Sequence, residues 1–164
     1  MPARDAANAP ARVAVIGVGN SLRHDDGAGL ELAGSLRGRV DPAEIAVIEQ
    51  EGEALGLLER WRDAAAVVIV DAVRSGAPAG TVHRIDATRQ PLPADLHSST
   101  STHAVGLREA IELARAIGRL PARVLVFGVE GERFDAGSGL SDPVRAVLGA
   151  LAEEVLQTAR GLSA

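Results

Sequence analysis

The chain has 164 residues, enough for one domain with one hydrophobic core. Hydrophobic residues make up 46% and charged residues 24%, with one Trp and two Phe, so Val, Leu, Ile and Ala must build the interior. A net charge of −5 argues against nucleic acid or an anionic membrane as partner, and the absence of cysteine excludes disulfides, thiolate catalysis and Cys-ligated metal clusters.

Residues 1–11 are polar and Ala-rich, read as a flexible tail, and contain no signal-peptide core; residues 12–160 read as a single domain. No run approaches the roughly 18 apolar residues of a membrane span. With no cysteine to oxidise, the composition is compatible with a reducing cytoplasm, the compartment expected here. Val13–Val18 reads as the first strand and Ala28–Leu36 as the helix after it. Glu44–Ile48 is a short second strand, and Ala54–Trp61 a second helix with Leu55, Leu58 and Trp61 on one face.

"AAAVVIVDA", residues 64–72, is almost purely apolar, the pattern of a central strand buried on both faces. "RSGAPAG" is a turn by composition, and "TVHRI", residues 81–85, alternates like an edge strand reversing from the one before. A long loop from Asp86 to Thr102 follows, and loops of that length are often functional. Val105–Ile117 has helical apolar spacing and ends at Gly118. "RVLVFGVE", residues 123–130, is another buried strand, and Ser141 with Pro143 starts the last helix. This alternation predicts an α/β fold: three α/β/α layers around a small, mostly parallel twisted sheet with one antiparallel edge strand.

In such sheets ligands bind beyond the carboxyl ends of the strands. Asp25 and Asp26 follow the first strand, Asp71 ends the third, Glu130 ends the last parallel one, and His103 opens the helix after the long loop; Glu49 lies further out. A dinucleotide site is a poor fit. Gly17 and Gly19 match G-x-G, but Leu22 takes the third glycine position and two aspartates would repel a pyrophosphate. A cation suits Asp, Asp and His better, since oxygen and imidazole donors hold Ni, Zn, Mn or Fe. Each residue also has an ordinary role open to it. Asp25 is an N-cap candidate, Asp26 a first-turn acid, Asp71 a partner for loop amides, His103 a helix-start residue and Glu130 a solvated strand end. His24, His83 and His97 read as exposed and are not selected. There is no G-x-S-x-G, and the loop serines Ser98, Ser99 and Ser101 have no assigned triad.

"VIGVGNSLRHDDGAG", "VVIVDAVRSGAPAGTVHRID" and "SSTSTHAVGLREAIELARAIGRLPARVLVFGVEG", in that order, resemble the hydrogenase maturation proteases. These endopeptidases trim a C-terminal extension from the large subunit of nickel–iron hydrogenases. The resemblance covers most of the chain from Val13 to the last helix and implies the same three-layer fold. It implies metal ligands at Asp26, Asp71 and His103, with Asp26 and Asp71 also catalytic, in an aspartic-type endopeptidase. Many members carry Glu where this chain has Asp26, which shortens the reach by one methylene and keeps the ligand type. Asp25 is then the residue that supports the turn and helix start, Gly19 lets a substrate backbone come close, and Asn20 orients it. The implied partner is a hydrogenase large-subunit precursor, and the implied metal is nickel carried by that substrate rather than held permanently. Water activated by a carboxylate and water polarised by the metal both stay open as routes to cleavage. Two other readings share these residues: a metal-dependent peptidase with another substrate, and a nickel-sensing assembly factor that does not cut.

Overall fold

A computed structural model describes residues 11–98 and 105–164. The expected tail, apart from residue 11, and His103 lie outside the described residues. The elements in chain order are β1 (Val13–Gly19), α1 (Ala28–Leu36), β2 (Ile45–Glu51), α2 (Leu57–Arg60), β3 (Ala66–Arg74), β4 (Val82–Asp86), β5 (His97–Ser98), α3 (Leu107–Ala116), β6 (Arg123–Glu130) and α4 (Asp142–Ser163).

The sheet runs β2-β1-β3-β6-β4, and β5 adds to β3. The β1–β2, β1–β3 and β3–β6 pairs are parallel, while β4 is antiparallel to β6. The edge strand is therefore antiparallel, as its alternation suggests. Its neighbour is β6, however, and not the preceding strand β3. Two residues of β5 also pair antiparallel with Val73 and Arg74, a strand too short to leave a periodic signal.

Burial on both faces explains the unbroken apolar runs. All of β1 is buried, and β3 is buried from Ala66 to Val73. On one face Val13, Val15, Val68, Val70 and Phe127 pack with Leu32 and Leu36 of α1 and Val144, Leu151 and Val155 of α4. On the other, Ala14, Ile16, Val67 and Ile69 pack with Leu57, Trp61, Leu107 and Ile111. Burying each such side chain contributes about 1.5–3 kcal/mol, so these two layers supply the main driving force.

The second helix is shorter than its sequence pattern suggests. Ala54–Gly56 is a 3-10 turn, and α2 is a single turn after it. Gly56 weakens the helix by about 1 kcal/mol relative to Ala. Tertiary contacts fix the segment instead: Ala54 N–H donates to Val105 O, and the Trp61 indole donates to Arg119 O.

One contact sets where the first turn falls. A Cβ added to Gly17 would lie 2.0 Å from Gly29 O, and one added to Gly29 would lie 2.3 Å from Val70 O. The start of α1 thus rests directly on the backbones of β1 and β3, and the turn between β1 and α1 sits over the carboxyl end of the sheet.

Candidate active site at the carboxyl end of the sheet

After β1 the chain makes a tight turn and a 3-10 turn, His24–Gly27. Asn20 N–H donates to Asp26 O at 3.1 Å, and Asn20 Oδ1 accepts from Leu22 N–H at 2.9 Å, so this side-chain oxygen shapes its own turn. Gly19 has φ +155°, and a Cβ there would lie 1.9 Å from Asp26 O. The chain itself therefore requires a glycine at this position. His24 holds φ +47°, a conformation uncommon for a residue with a side chain.

Four carboxylates are buried at this end of the sheet: Asp25 is 0% exposed, Asp26 and Asp71 1%, and Glu130 3%. Burying a charge is costly unless it is satisfied inside the protein, so their surroundings separate their roles.

Asp25 is satisfied by the 131–141 loop. Its Oδ2 accepts from the N–H groups of Glu132 (2.8 Å) and Arg133 (2.9 Å) and from the Ser141 hydroxyl (2.8 Å), and its Oδ1 accepts from Ser141 N–H (2.7 Å). Burial pushes its pKa up, but the bonds from Arg133, Ser141 and Glu132 outweigh that and hold it below the usual carboxylate value. Neither its own 3-10 turn nor α1 has a side-chain cap. Asp25 is thus no N-cap of its own helix; it fastens Ser141, the residue that starts α4. Arg23 Nε to Phe134 O and His24 Nδ1 to Gly139 O, at 3.1 and 3.0 Å, fasten the same loop.

Glu130 differs from the solvated strand end read in the sequence. It is buried because it closes the β3–β4 turn, accepting from Ser75 N–H (2.7 Å), Gly76 N–H (3.1 Å) and the Ser75 hydroxyl (2.9 Å), with His83 Nε2 at 3.0 Å. Burial raises its pKa, and the bonds from Ser75 and His83 bring it below the ordinary value. His83, on a strand that reads as an exposed edge, belongs to this cluster. Only the alternation of "TVHRI" hinted that it shares a sheet face with a β6 residue.

Ser75, His83 and Glu130 do not form a nucleophilic triad. His83 Nε2 faces both Ser75 Oγ (3.4 Å) and Glu130 Oε2 (3.0 Å), whereas a triad uses one ring nitrogen for each partner.

Asp26 and Asp71 occupy the centre. Asp26 lies in the 3-10 turn, which packs against β3, with its Oδ2 3.9 Å from Arg23 Nη1. Asp71 is one residue beyond Val70, the last β3 residue registered with β1, and lies opposite Gly128 of β6. The fold thus brings the two aspartates to the carboxyl ends of adjacent strands, both buried. Among the described residues no three His, Cys, Asp or Glu side chains form a metal-holding group. The third residue expected from the sequence, His103, lies outside the described residues. Glu49 stands apart: it is exposed and pairs with Arg37 at 3.2 Å.

Comparison with known proteins identifies the family and the fold. The family model described as "Hydrogenase maturation protease" matches residues 30–158. Hydrogenase expression/formation protein HupD of Thiocapsa roseopersicina is 30% identical over 80% of this chain, which spans 59% of that protein. Hydrogenase 2 maturation protease of Escherichia coli is 26% identical, with 91% of each chain covered. In structure, the hydrogenase maturating endopeptidase HybD from E. coli superposes with a TM-score of 0.74, at 23% identity, over 92% of this chain and 93% of that one, which speaks for the fold. With most of its length matched by the family model and its sheet built the same way, the chain belongs to the hydrogenase maturation protease family.

Proposed function

We propose that this chain is an endopeptidase that removes the C-terminal extension of a nickel–iron hydrogenase large-subunit precursor once nickel has been inserted. The observation that carries this reading is the pair Asp26 and Asp71, two buried carboxylates at the carboxyl ends of adjacent strands in a fold of this family. Nickel enters as part of the substrate. Carboxylate oxygens from Asp26 and Asp71 and an imidazole nitrogen from His103 are a donor set that suits it. Gripping that ion places the extension against the site, so cleavage waits for a loaded precursor.

Hydrolysis delivers a water oxygen to the carbonyl carbon, releases the amine of the extension and leaves a new C-terminal carboxylate. Asp71 or Asp26 takes the water proton and returns it to the departing amine. The Arg23 guanidinium lies 3.9 Å from Asp26 and is a charge partner for that carboxylate. The compartment proposed is the cytoplasm; no helix among the described residues is long and apolar enough to cross a membrane.

The test is the intact mass of a nickel-loaded precursor after incubation with the protein. Loss of a C-terminal fragment that requires nickel, and that disappears with Asp26→Asn, Asp71→Asn and His103→Ala, is the expected result. Cleavage of a nickel-free precursor would contradict nickel recognition. A stable complex with no mass change would make the chain a non-cleaving assembly factor.

A further inference from the structure

We infer that the free edge of β4 is the docking strand for an extended segment of the precursor, which pairs with it as an additional antiparallel or parallel strand. This rests on the proposed function for the identity of the peptide, and on the following geometry for the site. Among the described residues β4 borders only β6 in the sheet. Glu130 N–H donates to Thr81 O and Ala87 N–H to Val124 O, at 2.8 and 2.9 Å. In an antiparallel ladder alternate residues turn their backbone groups to opposite sides. Residues 81, 83, 85 and 87 therefore bond inward to β6, and the N–H and C=O groups of Val82, Arg84 and Asp86 point outward.

A groove lies along β4 and, at one end, reaches Ala122 and Arg123 at the start of β6. It consists of two cavities of about 450 and 750 Å³ that share Arg84, Ile85 and Pro93. One end lies at His83, which touches Glu130. Glu130 is in register with Val73, two residues beyond Asp71 on β3, so this end of the groove lies at the same end of the sheet as the candidate active site. The other end carries Arg89 and Arg123.

The charges select the occupant. The chain is acidic overall, yet three arginines line the larger cavity against one Asp. Arg84 is paired with Glu154, and Arg123 lies 4.0 Å from Asp86. Arg89 makes no hydrogen bond or close ion pair among the described residues, and its charge reaches Asp86 only at longer range. The Val82 carbonyl already accepts from Arg84 Nη1 at 3.5 Å, so the groove offers the outward backbone groups of Arg84 and Asp86 and, at its far end, the Arg89 guanidinium with no hydrogen bond of its own. An extended peptide with an acidic residue opposite Arg89 satisfies both. Charged side chains on an edge strand also discourage unwanted pairing. That need alone does not call for a groove leading to the active-site end.

Three variants test this through binding and cleavage of the labelled nickel-loaded precursor. Arg84→Ala and Arg84→Pro both lose the Glu154 pair, but only Arg84→Pro loses the outward N–H. Proline is tolerated at an edge position whose N–H faces outward. The expected result is weaker precursor binding and a higher KM for Arg84→Pro than for Arg84→Ala, by roughly two- to tenfold, with kcat unchanged. Arg89→Glu raises KM as well and carries the test by itself if Arg84→Pro fails to fold. Equal binding by Arg84→Ala and whichever of the other two variants fold would overturn the inference while leaving the proposed function standing. Binding that depends on these residues, with no cleavage by the unmodified protein, would uphold the groove and sink the peptidase reading. A dimer that Arg84→Pro converts to monomer, with precursor binding unchanged, would assign the edge to a second copy and overturn the inference.

Discussion

Asp25 and Ser141 are 116 positions apart in sequence, yet one carboxylate accepts both the backbone N–H of Ser141, at 2.7 Å, and its hydroxyl, at 2.8 Å. The turn that carries Asp26 is thereby tied to the start of α4. Removing the carboxylate strands the N–H groups of Glu132, Arg133 and Ser141 in a part-buried setting. Hydrogen bonds to a charged group are worth about 1.5–3 kcal/mol each, with incomplete additivity. Asp25→Ala is expected to cost about 3 kcal/mol or more in urea unfolding. Ser141→Ala, which loses only one of these bonds, the hydroxyl's, should cost less, about 1.5 kcal/mol. Equal costs for the two would show that the backbone bonds contribute nothing.

Asp25 and Glu130 share a sign in their response to acid. Both carboxyls are held below their ordinary values, because the bonds to the ionised form outweigh the effect of burial. A depressed native pKa favours folding above the unfolded value, about 4, and that contribution is lost as pH falls through the native value. Unfolding free energy measured from pH 7 downward should therefore be flat at first and then drop below about pH 4. Glu130→Gln is expected to lower stability at pH 7 and to make the acid limb shallower. A variant curve parallel to that of the unmodified protein would remove Glu130 from the acid response.

The sequence is legible wherever one physical pattern dominates. Uninterrupted apolar runs mark β1 and β3 because both strands are buried on two faces. Strand–helix alternation then places Asp25, Asp26, Asp71 and Glu130 at one end of the sheet. What it does not carry is the partner of each polar group. Glu130 reads as solvated because nothing local shows that Ser75 and His83, 55 and 47 positions away, close over it. Asp25 reads as a cap of the helix beside it, since its true partners come from a loop over a hundred residues later. The neighbour of β4 is equally invisible, because alternation reports a half-buried strand and not the strand it pairs with.

Two glycines to alanine should move stability in opposite directions. At Gly17 the added methyl would lie 2.0 Å from Gly29 O and 2.8 Å from the Ala33 Cβ, where backbone rather than a flexible side chain must give way. Overpacking of this kind costs typically 1–3 kcal/mol or more, and here it would also lift α1 and the Asp26 turn off the sheet. Gly149 lies inside α4, is exposed and has no atom within 4 Å of an added methyl. Gly149→Ala should therefore stabilise by up to about 1 kcal/mol through helix propensity. Thermal melts of the two variants decide this. A neutral Gly17→Ala would show that the β1–α1 contact can relax without cost.

Ser75 gives a direct check that the chemistry belongs to the aspartates. Its hydroxyl donates to Glu130 at 2.9 Å, and the His83 nitrogen near it is also the one that meets Glu130. No second ring nitrogen is left in this arrangement to relay a proton between Ser75 and the acid. Loss of a true serine nucleophile costs on the order of 10⁶ in kcat. Ser75→Ala should instead leave the cleavage rate of the loaded precursor unchanged and lose about 1.5–3 kcal/mol of stability from the missing bond to the Glu130 carboxylate. A collapse of kcat with the fold intact would move the nucleophile to Ser75 and displace Asp26 and Asp71 from the reaction.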